Sequence, residues 1–203
     1  MITSRPAPVP QDLHIHTTFS EGDGAIVPEQ TVELVAGLGH AATIGISDHF
    51  EFLGDRLPEY IATVRAHGLH AGTEVQHPEI AETAAQTDVD YFIMHCEDAP
   101  AFYKMAERFL ETGKPVIIAH PMLFDTDLER VPPGCHLEVN NRYVWRDDWR
   151  TRLAPYVNRF SWVISSDAHQ PHWLNQNVAR YAAAELGIRE TLLFAGHPVA
   201  HTL

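Results

Sequence analysis

Short apolar runs recur along the chain and alternate with segments of helical spacing. The runs at 43–47 (TIGIS), 91–95 (YFIMH), 116–120 (VIIAH), 136–140 (HLEVN) and 162–166 (WVISS) are near-continuous, as strands covered on both faces require. Two less regular stretches, 12–16 (DLHIH) and 69–75 (LHAGTEV), bring the expected strands to seven. Helices are expected between them over 28–39, 58–67, from Pro78, and over 100–112, 147–158 and 174–186, several opening at proline and closing at glycine. Only 121–131 is too short for a full helix. The interval between strands matches a βα unit. No linker, repeat or low-complexity block divides the chain, so a single α/β domain is expected, a (β/α)7 barrel with an open doubly wound sheet as the fallback.

The polar residues that interrupt this pattern fall in one place. The first strand carries His14 and His16, with Glu21 and Asp23 in the loop after it; the second ends at Asp48 and His49. Glu74 lies on the third strand, His95 and His120 close the fourth and fifth, and the sixth carries Glu138 and runs into Asn140, Asn141 and Arg142. The seventh runs into Asp167 and His169. The C-terminal ends of the strands are where parallel βα folds place their sites. Residues two apart on a strand share a side, so His14 with His16 can serve one ion. Imidazole with carboxylate suits Zn, Mn or Fe, and there are more candidate ligands than one ion can use. His40, His67, His70, His77, His172, His197 and His201 lie off the pattern and read as surface or loop residues, His172 being the one nearest to an exception.

Composition narrows the partners. The formal net charge of −13 disfavours nucleic acid and anionic membranes, whose binding relies on Lys and Arg. Part of that charge is accounted for if carboxylates surround cations. The two cysteines, Cys96 and Cys135, form no zinc motif and read as reduced buried thiols. The proline-rich first eleven residues lack the apolar core of a secretory signal, and no run approaches a membrane span. A cytoplasmic protein is expected, with 1–11 a flexible lead-in and 12–203 the catalytic domain; the oligomeric state stays open.

Taken in order, DLHIHTTFSEGDG, GISDHF, GTEV, IMH, IIAHP, LEVNN and ISSDAH resemble the PHP (polymerase and histidinol phosphatase) superfamily, over about residues 12 to 170. The resemblance implies a distorted seven-stranded barrel with two or three divalent metals at its C-terminal mouth. One metal would take His14, His16, Glu74 and Asp167. A second would share Glu74 with His95 and His120. A third would take His49, His169 and an acid of the first loop, assigned to Glu21 on its spacing from His16, with Asp23 as the alternative.

The expected activity is hydrolysis of a small phosphomonoester by metal-activated water. Asp167, His169 and Arg142 are the expected catalytic residues, Arg142 holding phosphate, with Arg146 and Arg180 as alternatives. Asp12 and Asp48 either orient neighbouring imidazoles or are simply polar strand ends. The stretch 141–150 (NRYVWRDDWR) either lines a substrate rim or packs its own aromatics. Histidinol phosphate as the substrate, an amide or lactone in place of the phosphoester, and a silent metal-binding module are the rival readings.

Overall fold

A computed structural model describes residues 7–195. Seven parallel strands pair in chain order: β1 (Val9–Asp12), β2 (Ala41–Ile46), β3 (His70–Val75), β4 (Tyr91–Met94), β5 (Val116–Ile118), β6 (His136–Asn140) and β7 (Ser161–Ser165). Around them run α1 (Val32–Leu38), α2 (Phe50–Leu53), α3 (Leu57–Ala66), α4 (Ala81–Ala85), α5 (Pro100–Leu110), α6 (Trp149–Leu153) and α7 (Asn177–Leu186). The chain is a nearly closed (β/α)7 barrel, with turns alone between β5 and β6.

The seam between β1 and β7 is closed mostly by side chains. Ile15 bridges Ala168, and the His16 N–H donates to the Ala168 carbonyl at 2.9 Å. Asp12 Oδ1 accepts from the Ser166 N–H at 3.0 Å. The Gln176 amide donates across the gap to the carbonyls of Gln11 (2.8 Å) and Ile164 (3.0 Å).

Two expectations shift. The first strand spans 9–12 rather than 12–16, so it begins inside the expected lead-in; residues 1–6 lie outside the described range. Gln11 and Asp12 are buried and hydrogen-bonded, so the strand lacks the apolar pattern that would mark it. His14 and His16 follow it in an extended segment. Likewise α1 starts at Val32, not Pro28, because the Thr31 hydroxyl caps it by accepting from the Leu34 N–H at 3.2 Å.

The barrel interior holds Leu13, Tyr91, Ile93, Ile117, Ala119 and Val163, while the alternate β4 residues Phe92 and Met94 face the helices. Phe92 stacks on Phe109 of α5 at 4.3 Å. Tyr91 fills the centre, its hydroxyl donating to the Leu13 carbonyl at 2.6 Å. A Cβ on Gly45 would stand 2.3 Å from that hydroxyl, and one on Gly72 would stand 2.2 Å from the ring. Leu193 and Phe194 pack beneath this cluster and stop the N-terminal end of the barrel. Among the described residues, the opposite mouth of the barrel is left open to a ligand.

Candidate metal centre

Every strand except β2 ends within two residues of a ligand-type side chain at that mouth, and the segment after β2 supplies His49 three residues on. Glu74, fully buried on β3, stands at the centre. Its Oε1 lies 3.1 Å from His95 Nε2, 3.3 Å from His14 Nε2 and 3.5 Å from His120 Nε2. Its Oε2 lies 3.4 Å from His16 Nε2 and 3.0 Å from His49 Nδ1. Asp167 Oδ1 lies 3.7 Å from both His14 Nε2 and His16 Nε2, and 3.3 Å from His169 Nδ1.

The loop acid is Asp23, not Glu21. Asp23 Oδ2 stands 2.8 Å from His169 Nε2 and 3.3 Å from His49 Nε2. Glu21 turns outward, its side chain 71% exposed and paired with Arg56 at 2.6 Å. The cause is the turn itself: the Asp23 N–H donates to the Ser20 carbonyl at 2.9 Å, and Asp23 Oδ1 accepts from the Ala25 N–H at 2.8 Å, which curls the loop back over the mouth.

Three groups of buried ligand atoms result: His14, His16 and Asp167; His14, Glu74 and His120; His16, His49 and His169. The residues fit metal. Glu74 Oε1 makes no hydrogen bond although three imidazole nitrogens surround it. His14 Nε2 and His16 Nε2 face one another at 3.0 Å. Acceptor atoms crowded without donors, and away from water, are costly unless a cation sits among them.

Electrostatics agree. Burial would raise the Glu74 pKa, but His14, His95 and His49 hold it well below the usual carboxylate range. Burial would lower that of His49, but Glu74 and Asp23 raise it to about 10. Burial and the neighbouring imidazoles His169 and His49 push His16 well down. The site thus stores negative charge that protons or cations must balance.

The imidazoles are aimed from behind. Glu138 Oε1 lies 2.8 Å from His14 Nδ1; a carboxylate accepts, so the ring proton sits there and Nε2 faces the centre. Glu138 Oε2 accepts from the His120 N–H at 2.7 Å and from Asn140 Nδ2 at 2.9 Å. The same Asn140 nitrogen lies 3.2 Å from Asp167 Oδ2. His120 and Asp167 adopt left-handed backbones, φ 26° and 54°, a strain these contacts hold in place. Sequence reasoning placed Glu138 and Asn140 at the strand end but gave them no role; the available signal was two polar residues, two apart, in an apolar strand.

Asp12 and Asp48 do not hydrogen-bond the imidazoles of the cluster. Asp12 pairs with His40 Nε2 at 3.0 Å besides holding Ser166. Asp48 accepts from the Thr17 N–H (2.7 Å), the Thr17 hydroxyl (2.6 Å) and the Ser20 hydroxyl (2.6 Å), fixing the loop that carries Asp23. Burial, opposed by those hydrogen bonds, raises its pKa to about 6. His172 is exposed and outside the cluster, and Cys96 faces the outer core, where burial pushes its thiol up to about 12. His197 and His201 lie outside the described residues.

Arg142 is at the rim. Its Nη1 lies 3.2 Å from His169 Nδ1 and 3.7 Å from Asp167 Oδ1, and its guanidinium packs 5.0 Å from the rings of both Tyr143 and Trp173. Arg142, Asp167 and His169 border one cavity of about 200 Å³ with Glu74, His95 and His120.

A family model for the PHP domain matches residues 12–117, more than half of the chain, and the chain belongs to that family. Its members are typically metal-dependent hydrolases. The match covers His14 through His95; His120, Glu138, Asp167 and His169 lie beyond it, and the fold brings them to the same mouth. No curated protein is matched by the chain. No helix among the described residues is long and apolar enough to cross a membrane.

Proposed function

We propose that the protein is a metal-dependent phosphoesterase acting on a small phosphomonoester. The observation that carries this reading is the convergence of His, Glu and Asp on Glu74 at one barrel mouth, with the Arg142 guanidinium beside it. His14, His16, Glu74 and Asp167 would hold one cation, Glu74 with His95 and His120 a second, and His49, His169 and Asp23 a third. Bound divalent cations, Zn, Mn or Fe, would lower the pKa of a water towards ~7 and take up charge developing on phosphoryl oxygens.

The chain supplies the rest. Glu138 and Asn140 keep His14, His120 and Asp167 in position. Arg142, braced between two aromatic faces, presents parallel N–H donors suited to a phosphoryl group and favours that substrate over an amide or lactone. Water adds to phosphorus, the bond to the leaving oxygen breaks, and the products are the alcohol and inorganic phosphate. The attacking water gives up one proton and the leaving oxygen takes one up, so the step needs no further reactant. The cavity of about 200 Å³ at the mouth suits a small substrate, and the net charge of −13 speaks against a nucleic acid.

Hydrolysis of p-nitrophenyl phosphate by the Mn- or Zn-loaded protein tests this reading. Activity should vanish on chelation and in His14→Ala or Asp167→Ala. Full activity in a chelated preparation, or turnover of amides or lactones alone, overturns it.

A further inference from the structure

A second cavity, of about 350 Å³, adjoins the metal centre. Arg142 lines both, so the two cavities share a wall at that residue. The outer cavity is walled by Trp145, Arg146, Trp173 and Asn175. Two features set it apart. Trp145 is 60% exposed, the most exposed large hydrophobic side chain among the described residues. Arg146 has neither an ion pair nor a side-chain hydrogen bond among the described residues; its guanidinium only packs against the rings of Tyr143 (4.8 Å) and Trp145 (5.4 Å). Every other described arginine except Arg189 forms an ion pair with a carboxylate. In a chain with 27 acidic residues against 14 basic ones, an unclaimed guanidinium beside the site stands out.

The wall is built to stay in place. Asn141 Oδ1 accepts from the N–H groups of Val178 (2.9 Å) and Ala179 (3.1 Å), and its amide meets Asn175 Oδ1 at 3.3 Å. The start of α7 is thereby tied to the loop after β6. Arg142 and Arg146 lie against the same Tyr143 ring, at 5.0 and 4.8 Å from its centre. The first lines the cavity of the metal centre as well as the outer one, and the second lines the outer one alone.

We infer that this outer cavity binds the leaving group of the substrate, and that the leaving group is flat and carries a second anionic group, a carboxylate or a second phosphate, held by Arg146. The flat face would lie against the indole of Trp145 or Trp173, and the anion would meet the fork of donors that no protein carboxylate uses. This rests on the phosphoesterase reading for the ester at the other end of the molecule.

The test compares phenyl phosphate with 4-carboxyphenyl phosphate and 1,4-phenylene bisphosphate, in the metal-loaded wild type and in Arg146→Ala. The doubly anionic esters should have the higher kcat/KM, by about five- to tenfold, as for a partly exposed charge-assisted contact. That ratio should collapse towards one in Arg146→Ala. Whichever of the two esters is preferred identifies the anion as carboxylate or phosphate. A ratio near one in the wild type, or one that survives Arg146→Ala, overturns the inference while leaving the phosphoesterase reading intact. If no ester turns over, that reading fails by itself. Titration of Trp fluorescence with phenylphosphonate and 4-carboxyphenylphosphonate then decides the subsite without catalysis. Tighter binding of the carboxylated probe, lost in Arg146→Ala, supports the inference; equal affinities overturn it.

Discussion

Glu138 touches His14, the His120 backbone and Asn140 without standing where a cation would. Its replacement by glutamine keeps the size and removes the charge that holds the His14 proton on Nδ1. Metal affinity should fall by about 10- to 100-fold while the fold persists, measured by competition with a fluorescent chelator and by far-ultraviolet circular dichroism. Unchanged affinity would mean that Glu138 only fills space. A sharper contrast lies in the first loop. Asp23→Asn should lower metal content at the His49–His169 end, whereas Glu21→Gln should leave it unchanged, both read by elemental analysis. The histidines, Glu74 and Asp167 could be picked out from the sequence because a ligand on each successive strand end is improbable by chance. The choice between Glu21 and Asp23 could not, since spacing from His16 does not reveal the Ser20–Asp23 turn that points one acid inward and the other towards Arg56.

The seven parallel strands followed from the apolar runs, because strands buried on both faces have few other readings, and the site-bearing mouth followed from the polar residues at their C-terminal ends. The start of the barrel did not. In β1 the polar side chains of Gln11 and Asp12 are buried by partners over 150 residues away in sequence, Thr191 and Ser166, which a local pattern cannot register. The closing segment at Leu193 and Phe194 is equally silent, two apolar residues whose role depends on lying under Tyr91. The glycines of β2 and β3 carry a testable part of this packing. A Cβ at Gly72 would meet the Tyr91 ring at 2.2 Å, and that ring is fully buried. Gly72→Ala should therefore destabilise by about 1–3 kcal/mol or more, a fall of several degrees in Tm. Gly37, inside α1, has nothing within 4 Å of its would-be Cβ. Gly37→Ala should stabilise by about 0.5–1 kcal/mol, so the same substitution should carry opposite signs at the two positions. Equal effects would show that Tyr91 is free to move.

The acidic excess of the whole chain and the buried site meet in the pH dependence of stability. Without cations, the carboxylates at the mouth are balanced by protons on His14 and His49. Burial works against both protons, but Glu138, Asp167 and Glu74 raise His14 well above its usual value, and Glu74 and Asp23 raise His49 to about 10. The unfolded chain releases these protons near pH 6.5, while the native state keeps them to higher pH. Their stabilisation is complete below about pH 6.5 and is lost as pH climbs through the native values. His16 is shifted downwards, so its effect falls below pH 6.5 and does not oppose this trend. The Tm of the chelated protein should accordingly decline from about pH 6.5 to pH 9. Metal reverses the trend, because a cation replaces the protons and binds more tightly as they become easier to remove. Saturation at about 100 times Kd adds about 2.7 kcal/mol, and the gain in Tm on loading with Mn or Zn should widen with pH. Calorimetric scans of chelated and loaded protein across that range measure both slopes. A chelated Tm that rises, or a loading gain that narrows, would show that the histidines at the mouth are held neutral and that the carboxylates are balanced by other groups.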